Sequence, residues 1–269
     1  MTNLLVVEMR RALHRRLVWG MVALALLGIA IAGVVEFFAS RGLDAASMQR
    51  AGKHDPAIMT DWWIAGGGDG TLAAAAFLLV MGALICGASV AGAEWRAGTI
   101  TTVLTWEPSR VRLHAARVAS AGLLAGVIAC ALQLLLLAAF APSVAAHGTT
   151  SGIDGAWLVS LLGALARIAL LSGLAAVIGC SLATLGRNTA VAIVGAWVWL
   201  AIAEGALRSW QPGLGRWLIG ENSTVVLGWA GLTNHPSSAP TGALLLILGY
   251  SAVLAAAVTW VFSRSDVQA

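Results

Sequence analysis

Apolar residues in this chain come in long, nearly unbroken runs, without the alternation of a half-buried strand or the single stripe of a surface helix. A helix crossing about 30 Å of hydrocarbon needs roughly 20 apolar residues. Four runs meet that length: Leu17 to Ala39, Thr71 to Ala93, Val118 to about Ala141, and Gly242 to Ser263. A further run, Trp157 to Gly186, is interrupted by Arg167. Another, Thr189 to Ala203, holds 15 residues before Glu204 and reads as short for a crossing. The pattern predicts an all-α membrane protein with six transmembrane helices. They form one domain over residues 1–269, with spans at about 17–39, 71–93, 118–141, 157–186, 189–204 and 241–263.

Three segments break the pattern. In residues 1–16, Leu5, Met9, Ala12 and Leu13 share one helical face and Arg10, Arg11, His14 and Arg15 the opposite one. This predicts an interfacial helix at the inner surface, its arginines against anionic lipid headgroups. Residues 204–240 are too apolar for solvent, yet Pro212, Gly213 and Gly215 interrupt them. They predict broken helices between spans 5 and 6, buried in protein or facing water at membrane depth. The run Gly66 to Gly70 predicts a flexible joint before the second span.

Composition agrees. The chain is 59% hydrophobic and 10% charged, against about 45–50% and about 25% for soluble domains. Cys86, Cys130 and Cys180 lie in apolar runs and offer no disulfide framework. The first run lacks a small-residue cleavage site and reads as a span, not a signal peptide.

The net charge of +4 sits at the ends of the runs, so it points to membrane topology and not to nucleic acid. With the N-terminus inside, ten arginines fall on the cytoplasmic side, Arg10, Arg11, Arg15, Arg16, Arg96, Arg110, Arg112, Arg117, Arg187 and Arg264. Five basic residues fall outside, Arg41, Arg50, Lys53, Arg208 and Arg216, together with most of the acids. Both termini are therefore expected in the cytoplasm. Trp62, Trp63, Trp157, Trp210 and Trp217 then fall near the outer interface.

Several chemistries have no motif. G-x-x-x-x-G-K-[ST] is absent and the single lysine is Lys53, so any use of ATP must come from another chain. His14, His54, His114, His147 and His235 read as loop or flank residues without metal-ligand spacing. The Gly179–Ser181 triplet lacks the G-x-S-x-G of a nucleophile elbow. Neither catalysis nor a cofactor on this chain is expected. Arg167, inside a span, is costly there and predicts either an ion pair, with Glu36 or Glu204, or a site for an anionic substrate group. No acid sits mid-span, which argues against proton-driven transport.

The loop Gly92–Arg110, GAEWRAGTITTVLTWEPSR, is the most informative stretch. Ala97, Ile100, Val103 and Leu104 fall on one helical stripe, with Thr101, Thr102 and Thr105 facing away. Pro108 stops a helix and pushes Glu107 out of the helical region. The β-branched run 99–103 is a poor helix former, so the segment needs a partner surface to order it.

Glu94, Gly98, Thr99, Leu104, Pro108, Ser109 and Arg110 carry a pattern that resembles E-x-x-x-G-T-x-x-x-L-x-x-P-x-S/T-R. That pattern follows the second span of ABC-2 type transporter permeases, though here Trp106 and Glu107 precede the proline where many members have small residues. The ending VFSRSDV and the six-span layout resemble the same family. The resemblance implies an ABC-2 (type V) exporter-like architecture in a bacterial plasma membrane. Residues 94–109 would then be a coupling segment seated on a cytoplasmic ABC ATPase, carried by Glu94, Gly98, Thr99, Ile100, Val103, Leu104 and Trp106.

Two ATPase copies, holding ATP and Mg, would serve two permeases, identical or homologous. A lipophilic drug, lipid or peptide would pass along Leu78, Met81, Ile85, Val194, Trp197 and Trp199, with Arg167 as a further candidate. Glu94 is expected to pair with Arg11 or Arg15. A secondary transporter, or a membrane assembly or sensor protein without transport, would share the topology.

Overall fold

Long apolar runs become helices because hydrocarbon offers backbone N–H and C=O groups no other partner. The computed structural model describes residues 2–42, 44, 57–62, 71–228 and 239–265. The joint Gly66–Gly70, Trp63, Arg50, Lys53, His54, His235 and the last four residues lie outside these. Among the described residues the structure is helical, apart from one isolated bridge between Ile58 and Thr149.

The helices are α1 (Thr2–Leu13), α2 (Arg16–Ala39), α3 (Thr71–Arg96), α4 (Ile100–Trp106) and α5 (Arg110–His147). They continue with α6 (Gly155–Gly186), α7 (Thr189–Val198), α8 (Glu204–Trp210), α9 (Ile219–Leu227) and α10 (Pro240–Arg264). A π turn at Trp199–Ala203 joins α7 to α8 without a break. Among the described residues six rods are long and apolar enough to cross a membrane: α2, α3, α5, α6, α7–α8 and α10. The chain is thus built as a multi-pass membrane protein.

Two boundaries depart from the sequence reading. The fifth span does not stop before Glu204 but runs from Thr189 to Trp210, 22 residues. Glu204 stays in the helix because its carboxylate is buried against protein and not lipid. The third span is longer than 118–141, at 38 residues from Arg110 to His147. The Ser109 side chain accepts from the Arg112 N–H and so starts α5 a full turn or more early. The broken segment expected from residue 204 starts later, after α8, as a 3-10 turn at Pro212–Trp217 followed by α9.

α6 is the centre of the bundle, with α3, α5 and α10 around it. Apolar side chains gain little by leaving lipid for protein, so membrane helices associate through close backbone approach at small residues. Gly87 of α3 lies against the Ala176 backbone of α6, and Gly179 of α6 against the backbone of Leu84 and Ala88. Gly122 of α5 meets Gly173 of α6, and Gly126 meets the Ala169 carbonyl. α2 is peripheral, packed mainly on α5, with Leu24, Leu27, Val34 and Val35 facing outward.

Gly179→Val should therefore push α3 off α6 and destabilise the fold by more than about 2 kcal/mol. Gly20→Ala, where nothing lies within 4 Å, is the matched control and should be near neutral. Thermal unfolding of both variants in detergent checks this.

Candidate functional site

The turn leaving α3 is a Schellman motif. The Gly98 N–H donates to the Trp95 carbonyl and the Thr99 N–H to the Glu94 carbonyl. Gly98 has φ +67°, a conformation in which a side chain is strained. The segment 94–109 is thus not one helix. Glu94 closes α3, Gly98 and Thr99 turn the chain, and Ile100–Trp106 form the short α4. Ala97 falls in the turn and is exposed, so the expected stripe reduces to Ile100, which is buried, and Val103 and Leu104, which are half-buried. Trp106 projects from the end of α4, 86% exposed. Glu107 is extended (φ −129°, ψ 91°), as Pro108 requires.

Beneath this turn lies an ion network. Glu94 receives Arg11 Nη2 at 3.6 Å and Arg15 Nη2 at 3.4 Å, the pairing the sequence suggested. It also binds Arg117 Nη2, and Arg117 Nε lies 3.7 Å from Glu8 Oε2. Arg11 Nη1 donates to Glu8 Oε1 at 2.8 Å. Arg15 further donates to the Ser89 and Val90 carbonyls of α3, each at 2.7 Å. Burial lowers the Arg15 pKa, Glu94 opposes that and Arg117 adds to it; an arginine still keeps its proton. The network ties α1, the end of α3 and the start of α5 into one block. Beside it, Arg110 bonds the Ser265 and Phe262 carbonyls, Trp95 meets Phe262, and Arg187 stacks over Trp95 at 5.0 Å.

Glu8 and Arg117 escaped the sequence reading. In sequence Arg117 reads as a topology charge, yet its side chain is only 1% exposed. Glu8 turns the inner face of α1 into Leu5, Glu8, Ala12 and Arg15, and Leu13, assigned to that face, is exposed. The available signal was a single acid within an arginine-rich segment, three residues before Arg11. His114, read as a flank residue, is also buried, 3.5 Å from the Thr184 hydroxyl.

The proposed route residues divide between two grooves. One of about 690 Å³ between α2, α3 and α5 is lined by Leu78, Met81 and Ile85. The other, about 750 Å³, between α3, α6, α7 and α9, is lined by Met81, Trp197 and Trp199. Val194 lines neither and faces outward; Arg167 lines neither and is half-buried on α6.

Glu204, one expected partner of Arg167, has other work. Its carboxylate accepts from the Ile219 N–H at 3.0 Å, the Gly220 N–H at 2.8 Å and Trp199 Nε1 at 3.0 Å. It thereby caps the first turn of α9, whose N–H groups have no helical acceptor. Nearby, Arg208 Nε lies 3.7 Å from Glu221 Oε1, and Asn222 donates to the Arg216 and Leu218 carbonyls. No protein-family model matches the chain, and no curated protein matches it.

Arg117→Met would leave Glu8 and Glu94 buried with less compensation. It should cost about 3–5 kcal/mol of stability. Arg11→Met, at a partly exposed guanidinium, should cost at most about 1 kcal/mol. Paired unfolding measurements in detergent separate the two.

Proposed function

We propose that this chain is the membrane-spanning permease subunit of an ATP-driven transporter of ABC-2 type, and that α4 is the element that docks on a separate cytoplasmic ATPase. The observation that carries this reading is the contrast within seven residues: α4 is anchored at Ile100 yet holds Trp106 out, 86% exposed. Exposed tryptophan on a firm base is the composition of an interface hot spot.

The local geometry supports the sequence resemblance residue by residue. Glu94 anchors the ion network, Gly98 supplies the positive φ, Thr99 closes the turn, Pro108 ends α4 and Ser109 caps α5. In this reading the arginine-rich end of the bundle faces the cytoplasm of a bacterium, and both termini with it.

Two ATPase subunits binding ATP would close on each other and carry the two α4 helices of a permease pair with them. The ion network passes that displacement to α1, α3 and α5 as a rigid body. The permease pair then alternates between two states, which requires the ATPase to bind those states with different affinity. A lipophilic substrate would move along the groove between α3 and α7.

Capture of the tagged chain from its native membrane in mild detergent tests the reading. A stoichiometric ATPase subunit should accompany it. Trp106→Asp should reduce that subunit at least about tenfold, as loss of a hot spot would. The same exposed substitution should leave thermal unfolding within about 0.5 kcal/mol of the parent. Glu94→Arg and Arg15→Glu should each abolish transport, and the charge-swapped pair should not restore it, because Arg117 and Arg11 also face position 94 and Arg15 also holds the Ser89 and Val90 carbonyls. A chain that purifies alone, with transport indifferent to ATP depletion, overturns the proposal.

A further inference from the structure

The groove between α3, α6, α7 and α9 is not uniformly apolar. Its charged lining residues are Glu204, Arg208 and Glu221, gathered where α8 meets the start of α9. Two carboxylates face one guanidinium, so the cluster carries an excess negative charge. The remaining wall is mainly apolar and aromatic, including Phe77, Met81, Leu171, Trp197 and Trp199, with Ser223 and Thr224 also lining it.

Each group's hydrogen bonding indicates what could complete it. The Glu204 carboxylate is met by donors alone, the Trp199 indole and the Ile219 and Gly220 amides, so both its oxygens act as acceptors. A helix N-terminus ordinarily attracts an anion. At α9 that position is already filled by Glu204, and Glu221 adds a second negative charge in the same turn. An anionic ligand would therefore meet repulsion.

Glu221 is 6% exposed, and its Oε1 is buried without a hydrogen-bond donor. Arg208 Nε lies 3.7 Å from this oxygen, longer than a hydrogen bond. A buried carboxylate oxygen lacking a donor is costly unless a donor is supplied. Trp197 and Trp199 add faces that attract cations.

We infer that this groove binds a lipophilic cation, with its apolar body between α3 and α7 and its positive head at Glu221 and Glu204. A volume of about 750 Å³ suits a drug-sized amphiphile. The site's role as a substrate site rests on the permease reading; the binding itself does not.

The test uses the full chain in non-ionic maltoside micelles and two probes of one shape and opposite charge, tetraphenylphosphonium and tetraphenylborate. Equilibrium dialysis should show saturable binding of the cation, at least tenfold tighter than the anion. Glu221→Gln should weaken the cation by roughly tenfold, through loss of one charge–charge attraction, since tetraphenylphosphonium carries no hydrogen-bond donor. Arg208→Gln should tighten it, because a competing positive charge is gone. A gain of affinity cannot come from a damaged fold, so the two variants must move in opposite directions.

Equal binding of both probes, or the two variants moving together, overturns the inference. Added phosphatidylethanolamine that displaces the cation identifies a lipid amine headgroup as the natural occupant; no displacement identifies a free amphiphile. Loss of the cation preference while ATPase capture persists removes this inference alone. Cation binding without any ATPase capture removes the permease reading alone.

Discussion

The close crossing of α3 and α6 is the constraint on which the rest depends. Gly87 and Gly179 let two backbones meet where any side chain would hold them apart. Dispersion between close-packed backbones is what a membrane protein has in place of the hydrophobic effect between its helices. Gly92, further along α3, lies against Thr189 at the start of α7 and extends the same close approach. The position of the crossing sets two things at once. It brings Glu94 at one end of α3 to the base of α5, and it leaves the other end of α3 to wall the groove beside α7.

Among the described residues two compact charge clusters each join separate helices. At the end bearing α1, Glu8 and Glu94 hold three arginines. In the segment between the last two spans, Glu204 and Glu221 hold the start of α9 and Arg208. Buried ion pairs of this kind contribute little net stability compared with well-packed apolar residues, but removing one partner is severe. Their use is positional: they dictate which helix end sits against which. Between the two groups the bundle is held by glycine, alanine and the Gln133 amide, which donates to the Leu72 carbonyl at 3.0 Å.

The six crossings were legible because run length is a direct consequence of bilayer thickness. The Glu94–Arg15 pair was legible because a lone acid at the end of a span, facing an arginine-rich helix, has few alternatives. What escaped depended on tertiary contacts that have no counterpart in the run pattern. Arg117 looks like any flanking arginine until α1 brings Glu8 over it. Glu204 looks like the end of a span, because the cost of a carboxylate in lipid is readable while the shielding by α9 is not. Trp197 and Trp199 do line a groove, whereas Val194, on the same helix, faces away, and hydropathy does not distinguish them.

The π turn at Trp199–Ala203 has a consequence for the phase of the fifth span. The Glu204 N–H bonds the Trp199 carbonyl five residues back, and the Trp199 indole bonds the Glu204 carboxylate in return. One extra residue in a turn advances everything after it by about 100° around the helix axis. An unbroken α-helix through the same residues would aim Glu204 elsewhere, off α9. The widened turn thus acts as a rotary offset, and the span can be apolar toward its surroundings below residue 199 and acid-bearing toward the protein above it.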